Sequence, residues 1–277
     1  MELALYLKKR AKKVDTALSK LLPRENEHPS KLSEAMRYAV LSGGKRIRPV
    51  LAMAACEAVG GKDSDVIDAA CALEMIHSYS LVHDDLPCMD NDLLRRGQPS
   101  CHAKFGEVTA LLTGDALLTR AFGILSSPNG FKNHPDRKKL AVLHWIAEAV
   151  GHQGMVGGQS LDMEYQNKEM DLPTVEYINT HKSGALIAVS TRAGAFLGGG
   201  TPSEVKCLHQ YGKAVGLLFQ LTDDIMDGQG YAKVIGSHDA REEASRLLSK
   251  ARQALLPLKT RGRVLSAIAE FVATRKD

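Results

Sequence analysis

Residues 66–90 read VIDAACALEMIHSYSLVHDDLPCMD, and this stretch decides the fold class. Ala69, Ala72, Leu73 and Ile76 recur at spacings of three and four, which puts one apolar stripe on a helix. The same period runs through Leu32, Ala35, Met36, Ala39 and Val40 and through most other segments. Runs of alternating β-branched and polar residues are missing, and aromatic residues make up only 5% of the chain, so a sheet has little to be built from. The expected class is all-α. Breakers at Pro23–Pro29, Ser42–Gly44, Gly60–Gly61, Ser126–Pro135, Gly151–Gly158, Gly198–Pro202 and Gly228–Gly236 divide the chain into about ten or more helices. None of these breaks has the length or polarity of an interdomain linker, so a single domain over 1–277 is expected.

The acidic end of the quoted stretch carries the chemistry. Asp84, Asp85 and Asp90 close the helix, and a second cluster, Asp223, Asp224 and Asp227, also follows an apolar helical run. Asp223 and Asp227 share a helix face, where like charges repel unless something positive offsets them. An ideal helix puts residues six apart about 120° out of phase, so Asp90 returns to Asp84 only if Pro87 breaks the helix. Clusters of carboxylates without His or Cys favour a hard cation such as Mg²⁺, whose shell is completed by water and phosphates.

His77, Ser80, Leu81, Asp84 and Asp85 fall on one helical stripe, so His77 lies two turns below the carboxylates. Ser42-Gly43-Gly44-Lys45-Arg46-Ile47-Arg48-Pro49 precedes another helix. Cations crowd there at the positive end of the dipole, and an anion bound to Lys45 and Arg48 would relieve the crowding. Arg95 and Arg96 offer two guanidiniums for a diphosphate, and Lys182 adds a weaker signal.

Composition excludes other classes. A formal charge of +4, with acids and bases evenly mixed, implies neither a nucleic-acid groove nor a polybasic anchor. Residues 1–22 have the spacing of an amphipathic helix and not of a signal sequence. The apolar stretch Gly184–Gly200 contains Arg192 and three closing glycines, so no membrane span is expected. Five scattered cysteines without metal-ligand spacing read as reduced, which places the chain in the cytoplasm. There is no GxxxxGK[ST] loop and no Ser, Cys or His nucleophile constellation.

The sequence resembles the trans-polyprenyl diphosphate synthases, nearest to the bacterial and plastid-type farnesyl and geranylgeranyl diphosphate synthases. Six stretches in family order carry the resemblance: 43–49, 81–90 with Arg95-Arg96-Gly97, Gly114-Asp115, 158–162, 181–184 and 219–227. It implies a helical bundle around a central cavity, two acidic clusters facing one another, about three Mg²⁺, and a homodimer. The implied reaction joins isopentenyl diphosphate to an allylic diphosphate, dimethylallyl or geranyl. Asp84, Asp85, Asp90, Asp223, Asp224 and Asp227 would be metal ligands or stand just behind them, and the first five of these with Lys182 would form the catalytic set. Lys45, Arg48, His77 and Arg96 would hold isopentenyl diphosphate, and Arg95, Lys182 and Gln220 the allylic diphosphate.

In such enzymes, bulk just before the first acidic cluster limits chain growth. Tyr79, with Ser80 beside it, occupies that place, which implies a C15 product, with C20 as the alternative. Three departures stand out: Leu93 for an acid, Ser183 for a threonine, and Gly228-Gln229-Gly230 where the family has a lysine-bearing loop before Tyr231. Either that loop is deleted or the sequence as given omits it. A real deletion would weaken closure over the allylic diphosphate and favours a rival, non-catalytic homologue. The basic cluster argues against a second rival, a terpene cyclase.

Overall fold

The structure is a computed structural model that describes residues 2–128, 130, 134–166 and 168–275. Among these residues it contains fourteen α-helices. They are α1 (Leu3–Leu21), α2 (Ser30–Leu41), α3 (Ile47–Ala58), α4 (Asp63–Asp84), α5 (Cys101–Phe105), α6 (Glu107–Ser126) and α7 (Asp136–Val150). Then follow α8 (Met155–Glu164), α9 (Leu172–Ile178), α10 (Ala185–Leu197), α11 (Pro202–Asp227), α12 (Gly230–Ile235), α13 (Ser237–Ala254) and α14 (Arg263–Thr274). A π-helical turn, Asn179–Gly184, joins α9 to α10, and a 3-10 segment, Leu256–Gly262, leads into α14.

The helix ends follow the local sequence. Thr201 and Glu204 form a reciprocal capping box at the start of α11, with Pro202 in the first turn, and Gly228 ends that helix in the left-handed region at φ 66. Asp171 caps α9 by accepting from the Thr174 backbone N–H at 3.0 Å. α4 carries Asp63 and Asp65 at its N-terminal turn and His83 at its C-terminal turn, in accord with the helix dipole.

One element departs from the all-helical expectation. Leu94–Arg95 and Gln98–Pro99 form a two-stranded antiparallel hairpin. Its turn residues, Arg96 and Gly97, both have positive φ, 55 and 74, the geometry of a tight hairpin turn. Two-residue strands are too short to leave an alternating pattern in the sequence.

By contacts the chain divides into two compact units, residues 1–50 with 67–133 and residues 51–66 with 134–277. In the first, Val14, Leu18, Ala35, Val40, Leu73, Ile76 and Leu117 are fully buried. In the second, α10 is buried from Leu186 to Ala195 except at Arg192, as expected of a helix apolar all round, and it packs on α7 and α11. Tyr211 on α11 is fully buried and donates its hydroxyl to the Leu265 carbonyl at 2.7 Å. Among the described residues, α6 is the one helix that by length and composition is long and apolar enough to cross a membrane. It buries Ala110, Leu117, Ala121 and Leu125 and leaves Val108, Leu111 and Leu112 exposed.

Candidate active site

In the first unit a basic cluster forms around the loop before α3, with Arg46 buried, Arg48 and His77 half-buried and Arg96 exposed. Gly43 and Gly44 have φ of 97 and 126, and a Cβ on Gly44 would stand 2.7 Å from the Arg96 guanidinium carbon. Arg96 donates from Nη1 to the Gly43 carbonyl, so the hairpin turn and the glycine loop are clasped together.

Arg46 and Arg48 have different roles. Arg46 donates to Glu74 Oε1 at 2.8 Å, Asp15 Oδ1 at 2.8 Å and the Val40 carbonyl at 2.7 Å, so its charge is neutralised inside the protein. Arg48 Nε is buried and has no hydrogen-bond partner among the described residues. Burial, with help from the Arg96 charge and against that of Glu74, lowers the Arg48 pKa to about 10. His77 is held well below its ordinary value, first by burial and then by Arg48, Arg96, Arg46 and Arg95 in that order. Such a group of cations suits an anion. Lys45 lies exposed on the same loop.

The first acidic cluster is shaped by the end of α4. The helix stops at Asp84, three residues before Pro87, and the Asp90 backbone N–H returns to the Asp84 carbonyl at 2.8 Å. The expected break that brings Asp90 back is therefore present. Asp84 is half-buried, Asp90 is exposed and Asp85 is buried. Arg95 donates from Nε to Asp85 Oδ1 at 2.9 Å and adds a contact from Nη2, which also reaches Asp92 Oδ2 at 3.1 Å. Burial still outweighs Arg95 and pushes the Asp85 carboxyl up.

Tyr79 is buried one turn before Asp84. Its hydroxyl has no hydrogen-bond partner among the described residues, and its ring meets that of His83 edge-on at 5.8 Å. Ser80 donates to the His77 carbonyl at 3.0 Å.

The second unit holds the other set. Lys182 and Ser183 lie on the π-helical turn, a distortion of the kind often found at functional sites. Lys182 Nζ pairs with Asp162 Oδ2 of α8 at 2.5 Å. Gly158 of α8 lies so close to the Lys182 backbone that a Cβ would collide with it. Ser183 donates to Gln220 Oε1 at 2.7 Å. Gln220 in turn donates to Asp224 Oδ1 at 3.1 Å, while Asn179 Nδ2 and the Tyr231 N–H donate to Asp224 Oδ2 at 2.9 and 3.1 Å. Both Asp224 oxygens are thus engaged within the protein.

Asp223 points to a different partner: Arg275 donates to its Oδ1 at 2.6 Å. Burial raises the Asp223 carboxyl, with Arg275 opposing and Asp227 and Asp224 adding to the rise. Asp227 is exposed at the end of α11. Asn179, Arg275 and the full role of Asp162 went unread in the sequence. An amide at the start of a π turn and a cation near the C-terminus carry no local signature.

Among the described residues no three His, Cys, Asp or Glu side chains are grouped closely enough to hold a metal ion by themselves. The donors at Asp84, Asp90, Asp223 and Asp227 are nevertheless all carboxylate oxygens, which suits a hard cation that takes few protein ligands and fills its shell with water and phosphate.

Helices, acidic pairs and buried cations together define an all-α isoprenyl synthase. The structure of an FPP/GFPP synthase from Zymomonas mobilis superposes with a TM-score of 0.92 at 36% identity, covering 98% of this chain and 99% of that one. Residues 29–253 match the polyprenyl synthetase family, and the chain belongs to it as a trans-prenyltransferase. The geranylgeranyl pyrophosphate synthase of Capsicum annuum, chloroplastic, is 42% identical over 99% of this chain and 79% of its own length. The Arabidopsis thaliana heterodimeric geranylgeranyl pyrophosphate synthase large subunit 1 is 40% identical over 98% of this chain and 79% of its own. Both alignments run over 295 positions against a chain of 277 residues, so these relatives carry insertions.

Proposed function

We propose that the protein condenses isopentenyl diphosphate with an allylic diphosphate and releases a C15 product, farnesyl diphosphate. The observation that carries the reading is the contrast between Arg46, neutralised by Glu74 and Asp15, and Arg48, whose buried Nε has no hydrogen-bond partner among the described residues. A protein that had no anion to bind would gain nothing from keeping that second guanidinium half-buried with its Nε shut off from water. Arg48, Arg96, His77 and Lys45 hold the isopentenyl diphosphate.

Asp84, Asp90, Asp223 and Asp227 would hold Mg²⁺, which when bound neutralises charge that develops on a leaving diphosphate. Asp85 and Asp224 sit behind them. Asp85 orients Arg95 and Asp224 fixes Gln220 and the start of α12. Lys182, steadied by Asp162, binds the allylic diphosphate together with Arg95 and Gln220. Apolar walls keep water from the allylic cation, the isopentenyl double bond attacks it, and a proton then leaves to the departed diphosphate.

Tyr79 supports C15 because a full ring is buried one turn below Asp84. The relatives' names favour a second reading, C20. The match to one family across 29–253 includes parts of both compact units, which supports one functional domain. Exposed Val108, Leu111 and Leu112 on α6 support a homodimer, and five free cysteines, four of them buried, support a reducing compartment such as the cytoplasm.

The test is a Mg²⁺-dependent assay with isopentenyl diphosphate and geranyl or dimethylallyl diphosphate, with products resolved by length. A C15 product, lost by about a hundredfold or more in Asp223→Ala, is expected. No product from folded protein overturns the reading in favour of a non-catalytic homologue.

A further inference from the structure

The second unit contains a cavity of about 390 Å³ lined by none of the residues assigned above to prenyl transfer. Its walls come from α7, α10, α11 and the π turn. Ala185, Ala188, Val189 and Leu217 give it an apolar floor. On one side Arg192 lies over the face of Trp145, its guanidinium carbon 3.7 Å from the ring centroid. Lys213, His209 and His181 also line the cavity, and Glu148 is its single carboxylate.

This charge is unbalanced. Among the described residues no ion pair neutralises Arg192 or Lys213, although Glu148 shares the cavity with them. His209 is bound by Nδ1 to the Ala188 carbonyl at 3.3 Å and is held below its ordinary pKa by burial and by the Lys213 and Arg192 charges. Arg192 is half-buried and Lys213 is exposed at this cavity, so an anion there would meet two charges that no carboxylate among the described residues is paired with, and small aliphatic side chains beside the tryptophan ring suit a hydrocarbon body.

We propose that this cavity is a binding site for a small amphiphile with an anionic phosphate or carboxylate headgroup, held by Arg192 and Lys213, and an apolar body lying beside Trp145 on the Ala185–Ala188–Val189 floor. The π turn forms part of its wall through Thr180, His181 and Gly184, while its intervening residues Lys182 and Ser183 bond to Asp162 and Gln220. An occupant would therefore press on the backbone that positions Lys182. The binding site itself stands on the cavity's own residues and does not depend on the reaction proposed above.

Trp145 is the single tryptophan of the chain, so its emission reports on this cavity directly. Titration with octyl phosphate below its micelle concentration is expected to give a saturable change in that emission. Arg192→Gln is expected to weaken binding roughly tenfold by removing a charged partner of the headgroup. Ala185→Leu, which fills the floor and keeps every charge, should weaken it as much, and each variant is checked for native helicity by circular dichroism. Inorganic phosphate and octanol, each offering half of the chemistry, should bind at least about tenfold more weakly than octyl phosphate. A flat titration overturns the proposal, as does unchanged affinity in both variants. Equal binding of inorganic phosphate also overturns it, by reducing the cavity to a simple anion site.

Discussion

Arg275 donates to Asp223 Oδ1 at 2.6 Å while its guanidinium lies 3.6 Å above the ring of Phe219, so the C-terminal end of the chain holds a carboxylate proposed to bind metal. Arg275 also donates to the Phe219 carbonyl at 2.7 Å, and its side chain is only 5% exposed. A cation that binds Asp223 must first displace this guanidinium or share the carboxylate with it.

Arg275→Ala is therefore expected to lower the Mg²⁺ concentration for half-maximal activity by about threefold to tenfold, the size of a mostly buried ion pair at or just above the upper end of the range for surface pairs. Magnesium titration of the wild type and the variant at fixed substrate checks this. A higher requirement in the variant would mean that Arg275 assists the site.

His77 sets a pH dependence. Its folded pKa lies well below 6.5, with burial as the first cause, so from pH 6.5 downward the unfolded chain takes a proton that the folded one refuses. Stability should fall with acid by up to about 1.4 kcal/mol per pH unit from this group and be unaffected by it above pH 6.5. His77→Gln should flatten that part of the slope. Denaturant unfolding of both proteins between pH 5 and about 7.5 is the measurement. Equal slopes would mean that His77 titrates normally.

Much of this molecule was legible in the sequence, and the reasons differ by element. The helices were legible because their apolar period is continuous and their caps are local, as at Thr201–Glu204 and Gly228. The return of Asp90 to Asp84 was legible because Pro87 cannot continue a helix. The hairpin at Leu94–Pro99 was not, since strands of two residues have no period. The π turn was not either, because residues 179–184 differ from an α-helix by one inserted residue and carry no distinct composition. Partners also escaped. Asp224 resembles Asp223 in sequence, yet it is buried under three donors from Asn179, Gln220 and Tyr231, while Asp223 meets Arg275. Only the packing of distant segments separates the two roles.

Gly44 is expected to be irreplaceable. Its φ of 126 strains any L side chain, and a Cβ would stand 2.7 Å from the Arg96 guanidinium. Gly44→Ala should push Arg96 out of the basic cluster and raise KM for isopentenyl diphosphate by about tenfold or more, leaving KM for the allylic substrate within about twofold. Steady-state kinetics with each substrate varied in turn distinguishes this from a general loss of folding. An equal rise in both constants would remove Arg96 from specific recognition of isopentenyl diphosphate.

Tyr79 tests the product assignment. Its ring is buried and its hydroxyl has no hydrogen-bond partner among the described residues, so the side chain acts by bulk and not by bonding. Burial, with the Asp84 charge adding to it, raises the Tyr79 pKa to about 12, so the phenol stays neutral under assay conditions. Tyr79→Phe keeps the bulk and should leave the product at C15. Tyr79→Met replaces the ring with a flexible chain and should shift product toward C20, and Tyr79→Ala should do so further, at a stability cost of a few kcal/mol for the cavity it leaves. Chromatography of the dephosphorylated products reads the shift. An unchanged spectrum in both Met and Ala variants would place the limit to chain growth elsewhere, and a wild-type product of C20 would show that Tyr79 does not stop the chain at C15.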